Sequence, residues 1–85
     1  MNDYFYVIAR SITHAQRMER LLRRAGISCW IARAPLELTG RGCAYAVQIR
    51  EKDLAAAVRQ IRGAGFGADR IYRKTNGKFS EVQQP

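Results

Sequence analysis

Residues 44–50 alternate without a break: Tyr45, Val47 and Ile49 fall to one side, Ala46, Gln48 and Arg50 to the other. A period of two is the mark of a strand with one buried face. The segments before and after it carry the other period. Ala15, Met18, Leu22 and Ala25 recur at helical spacing upstream, and Leu54, Val58 and Ile61 do so downstream, supported by Ala55, Ala56 and Ala57. A strand set between two amphipathic helices restricts the chain more than any other feature, because the remaining short elements have to be arranged around that order.

Those elements follow from local chemistry. Tyr4-Phe5-Tyr6-Val7-Ile8-Ala9 is aromatic and β-branched and reads as a buried strand. Ser11 or Thr13 can cap the first helix, and Thr13 with Gln16 has capping-box spacing. Gly26 ends that helix as a left-handed cap. Residues 27–32 make a second strand, and residues 33–42, with Pro35, Gly40 and Gly42, are irregular. Gly63, Gly65 and Gly67 break the second helix, and residues 68–74 form a fourth strand. Asn76-Gly77 is a two-residue hairpin signal, so residues 78–82 are expected to return as a short fifth strand, while 83–85 fray. The order predicts an α+β, ferredoxin-like split βαβ (βαββαβ) two-layer sandwich with an antiparallel sheet. Residues 1–82 are expected to form one such domain.

A chain of 85 residues buries only about 60% of its unfolded surface or slightly more, so a site on it should be shallow and near the rim. Fifteen Lys and Arg against seven Asp and Glu give a net charge of +8, which favours anionic partners. The N-terminus opens on Asn2 and Asp3, and the apolar run after them is too short for a signal core or a membrane span. A cytoplasmic location with reduced thiols is expected.

Cys43 follows the basic turn Thr39-Gly40-Arg41-Gly42 and precedes the alternating run, which places a thiol at the mouth of a strand. In the expected fold the first and third strands are antiparallel neighbours. The end of the first then lies beside the start of the third, and Cys43 approaches Arg10, Ser11, His14 and the amino end of the first helix. Unpaired backbone N–H groups there, with Arg10, Arg33 and Arg41, favour a thiolate. A Cys43 pKa below the ordinary thiol value is expected. The alternative reading is a small apolar residue at a strand start.

Cys29 shares a face with Ile27 and Ile31 and reads as core. A bridge to Cys43 would span about 10 Å along the ladder at about 3.3 Å per residue, beyond the roughly 7 Å that a disulfide allows. His14 can take a proton from Cys43 or hold an anion; it also suits a solvated first helical turn. One His and two separated Cys do not make a zinc site, and no phosphate-binding or dinucleotide fingerprint is present, so no metal or cofactor is expected. Arg17, Arg20 and Arg24 line the first helix and Arg59 and Arg62 the second, either as solvated faces or as a surface for an acidic partner.

Several of these residues together resemble the selenium/sulfur (Se/S) carrier-like family. They are the strand followed by Ser11, His14 and Ala15; Glu19 with Leu22; Gly26-Ile27; Pro35 before the irregular loop; and Cys43 before the third strand. The resemblance runs from about residue 4 to about residue 72. It implies a single cysteine, Cys43, that carries sulfur or selenium as a persulfide or selenosulfide. It implies a carrier without an independent catalytic cycle, served by a protein donor such as a cysteine desulfurase.

Two other classes fit the same order of elements. RNA-recognition domains share it, and Arg41-Gly42-Cys43-Ala44-Tyr45 partly imitates their third-strand signature. Tyr45 would then be a stacking platform, with Tyr4, Phe5 or Tyr6 beside it, although Cys43 and Gln48 stand where aromatics belong. A structural adaptor is the other: an exposed sheet face carrying Trp30 invites dimerisation.

Overall fold

In the computed structural model, which describes residues 4–34, 45–65 and 70–82, the aromatic run at the start of the chain forms β1 (Tyr4–Ala9). The two helical stripes form α1 (Ile12–Arg24) and α2 (Leu54–Gly63), the latter entered through one 3-10 turn at Glu51–Asp53. The remaining strands are β2 (Cys29–Arg33), β3 (Tyr45–Arg50), β4 (Ile71–Thr75) and β5 (Lys78–Glu81). They make one five-stranded sheet in the order β2-β3-β1-β4-β5, with every neighbouring pair antiparallel. The fold is α+β.

Both helices cover the same face of the sheet. Phe5, Val7 and Ala9 of β1 point to it, as do Val47 and Ile49 of β3. They meet Ala15, Met18 and Leu22 of α1 and Ala57 and Ile61 of α2 in one buried cluster. The helical spacing in the sequence is therefore the core stripe of each helix. Tyr45 packs on the edge of this cluster, half-buried. The opposite face carries a smaller cluster of Tyr6, Ala34 and Ala46, flanked by Tyr4, Ile8 and Phe79.

The fifth strand owes its place to the turn. Asn76 and Gly77 take φ values of 52° and 78°, the paired left-handed geometry of a two-residue type I′ hairpin. Gly77→Ala would be strained there for lack of a favourable left-handed well.

Several boundaries differ from the sequence reading: β2 runs on to Arg33, β4 spans Ile71–Thr75 rather than 68–74, and β5 stops at Glu81; two further shifts have a clear local cause. The cap of α1 is Ser11, whose extended backbone (φ −150°, ψ 168°) lets its hydroxyl accept from the His14 N–H at 3.2 Å. Thr13 already lies inside the helix, so its pairing with Gln16 is not a cap. Ser11→Ala is accordingly expected to lower stability by about 0.5–2 kcal/mol, read from the urea midpoint, with Thr13→Ala changing it far less. The start of β2 moves from residue 27 to Cys29. After α1 the Gly26 N–H bonds to Arg23 O (3.0 Å) and the Ile27 N–H to Leu22 O (2.9 Å), with Gly26 at φ 81°. This is a Schellman motif, and it uses the Ile27 donor that a strand ladder would need. Arg23 Nη2 then donates to Cys29 O at 2.9 Å, tying the helix end to the first residue of β2.

Candidate functional site: the strand ends beside the amino end of α1

β3 begins between two other strand ends. Tyr45 is paired with Ala9, the last residue of β1, on one side and with Arg33, the last residue of β2, on the other. The chain leaving Ala9 passes through Arg10 to the cap Ser11 and into α1 within two residues. The amino end of α1 therefore sits at the same rim as the entrance to β3.

The turn that makes this rim is held by two bonds that meet at His14. Ser11 Oγ accepts from the His14 backbone N–H, and His14 Nδ1 accepts from the Arg10 backbone N–H at 3.4 Å. A histidine three residues past the cap thus reaches back one residue further than Glu or Gln does in a capping box, to the N–H of the residue before the cap. No acidic residue stands in the first turn of α1, so no carboxylate offsets the positive end of the helix from within that turn. Arg10 and Arg33 are exposed, and their cationic side chains belong to the same rim.

Of the residues that the sequence singled out, Arg10, Ser11 and His14 are thus brought together in one turn, with Arg33 across Tyr45 from Ala9. Cys43 and Arg41 lie outside the described residues. The bond from the His14 ring to the Arg10 backbone escaped the sequence reading; the Ser-x-x-His spacing was its only signal.

A family model described as "Putative Se/S carrier protein-like" matches residues 4–73. The chain belongs to this family. No curated protein and no solved structure gives a significant match. The Se/S carrier-like match encloses the whole rim and both cysteines, and the structure shows what one of them does. Cys29 is fully buried in the helix-side cluster, with Sγ 3.8 Å from Glu19 O. Burial pushes its thiol pKa up; the Arg23 charge pulls it back and the Glu19 charge adds a smaller push. Among the described residues of this Se/S carrier-like chain, no three His, Cys, Asp or Glu side chains converge as metal ligands, and no helix is long and apolar enough to cross a membrane.

The stacking platform suggested by residues 41–45 needs correction. Tyr45 is in one row with Ala9, and Ala9 is buried in the cluster beneath the helices. Phe5 points the same way, with the Arg73 guanidinium 5.4 Å from its ring. Neither ring is on the open face. Tyr4 and Tyr6 are, because the pleat alternates.

Proposed function

We propose that this protein is a sulfur or selenium carrier that uses the Cys43 thiolate. The observation that carries the reading is the family match, which spans Cys43 together with the rim at the start of α1. Chain connectivity supports it. Cys43 is two residues from Tyr45, and a chain spans at most about 3.3–3.6 Å per residue, so its Cα is tethered within about 7 Å of the Tyr45 Cα. Tyr45 itself is paired with Ala9, one residue before Arg10. We read the underlying topology as the ferredoxin-like split βαβ with β5 appended at the free edge of β4.

In this reading the helix end, Arg10, Arg33 and Arg41 hold the sulfur as an anion. Transfer needs no cofactor. The Cys43 thiolate attacks the terminal sulfur of a donor persulfide. The donor S–S bond breaks, its electron pair leaves on the donor cysteine as a thiolate, and a new S–S bond forms on Cys43, with no net oxidation. Arg17, Arg20 and Arg24 are exposed along α1 and suit the acidic surface of a donor such as a cysteine desulfurase.

Incubation with a cysteine desulfurase and cysteine, followed by intact mass measurement, is expected to show one added sulfur on the wild type and on Cys29→Ala. Cys43→Ser should show none. Equal loading of wild type and Cys43→Ser would remove the reading.

A further inference from the structure

The face of the sheet turned away from the helices has its own order. Register places Tyr4 of β1 between Arg50 of β3 and Lys74 of β4, and Lys74 opposite Phe79 of β5. Four neighbouring strands, spaced about 4.8 Å apart, thus present a guanidinium, a phenol, an ammonium and a phenyl ring in a line. Trp30 of β2 extends it on the same face, since Trp30 is paired with Gln48, two residues before Arg50. The cations stay close to the rings: Arg50 Cζ is 5.2 Å from the Trp30 ring centroid and Lys74 Nζ 5.4 Å from that of Phe79.

The rings differ in role. Tyr6, in the next row of the same face, is buried and meets Phe79 edge to face at 5.4 Å, so it braces that ring from the side. Trp30 is 39% exposed, one of only two large apolar side chains left so open among the described residues, and Tyr4 and Phe79 are half-buried.

We propose that this face binds single-stranded nucleic acid. Bases stack on Trp30, Tyr4 and Phe79, while Arg50 and Lys74 meet the phosphates. Interleaved cations and flat aromatic faces are the two elements that sequence-tolerant single-strand binding requires. Charge decides against a second copy. The chain carries +8, and the described strand residues of this face hold Arg50 and Lys74 against one carboxylate, Glu81, on the edge strand. Two such faces together would oppose like charges, whereas a polyanion complements them. An acidic protein would satisfy the cations but would not use three ring faces. The inference goes beyond the carrier reading and does not depend on Cys43.

Trp30 is the only tryptophan, so its fluorescence reports on the platform directly. The intact reduced protein, titrated with oligouridylate at fixed moderate salt, is expected to show saturable Trp30 quenching. With a labelled oligonucleotide, anisotropy should show Trp30→Ala and Phe79→Ala each binding about tenfold more weakly, the scale of one lost base–aromatic stack. Arg50→Gln/Lys74→Gln should flatten the slope of log K against log salt by about 1.4, from about 0.7 per lost phosphate contact on a single strand. Lys52→Gln/Arg59→Gln removes the same charge elsewhere and should leave affinity within about twofold. Lys74 is exposed, so Lys74→Gln alone serves as the test if an aromatic variant fails to fold. Absent quenching, or equal losses from both charge pairs, would overturn the proposal. So would a concentration-dependent dimer in sedimentation that the Trp30→Ala change dissociates.

Discussion

Leu22→Ala is expected to lower the stability of this protein by about 2–5 kcal/mol, the range for a buried leucine whose cavity does not collapse. Leu22 has no exposed surface, and its position fixes three things together. It is the last buried residue of the α1 stripe, it lies in the cluster joining both helices to the sheet, and its carbonyl accepts the Ile27 N–H that closes the helix. Ile27 is buried in the same cluster, so the apolar contact that accompanies a Schellman motif also rests on Leu22. A chain of this length is marginal, with total stability of about 5–15 kcal/mol, and the loss is a large part of it. Even the lower bound should drop Tm by about 8–16 °C in calorimetry. Leu21, only partly buried beside the cluster, is the control, and Leu21→Ala should cost clearly less. Equal shifts for the two would show that α1 is not seated by the Leu22 face.

Much of this arrangement can be read before any coordinates, because it follows from spacing alone. The alternation of residues 44–50 and the helical stripes about Met18, Leu22 and Ile61 reappear as the covered face of the sheet and the seated sides of the helices. Asn76-Gly77 needed no tertiary context, since both residues favour the left-handed backbone that the hairpin uses. Choices made by a single dihedral or a single competing bond were not legible. Ser11 and Thr13 are both good caps by chemistry, and only the backbone at Ser11 being extended decides between them. Ile27 has strand propensity, yet its N–H is already engaged by the helix end.

Alternation also shows which residues share a face without showing which face the helices cover. That is why Tyr45 could be taken for a platform residue when it belongs under α1 and α2. For the candidate site, chain order alone was enough to bring Arg10 and Ser11 beside the start of β3. The His14 ring bond was not visible, because it depends on how the turn before α1 closes. The row from Arg50 to Phe79 was equally hidden: it exists only through registers across three separate strand pairs.

Cys29 is expected to resist alkylation in the folded protein by more than about a thousandfold relative to the unfolded chain. Its sulfur lies in the cluster, so reaction waits for an opening that costs a large share of an overall stability of about 5 kcal/mol or more. Trypsin resolves the two thiols. Cleavage after Arg24 and Arg33 puts Cys29 in one peptide, and cleavage after Arg41 and Arg50 puts Cys43 in another. Iodoacetamide in buffer and in denaturant, followed by peptide mass spectrometry, therefore reads each site separately. Labelling of the Cys29 peptide at its unfolded rate would contradict the burial. Leu22→Ala should speed Cys29 labelling by about thirtyfold or more, the factor for about 2 kcal/mol at tenfold per 1.4 kcal/mol, because both residues share one cluster. The pH dependence has a definite sign. Burial raises the folded pKa of Cys29 above its ordinary 9.0. Its contribution is therefore fully present below about pH 9 and is lost as the pH climbs toward the folded value, because the unfolded chain releases the proton first. Cys29→Ala should accordingly show a shallower alkaline decline in the urea midpoint than the wild type, and an unchanged slope would mean that the buried thiol does not contribute to it.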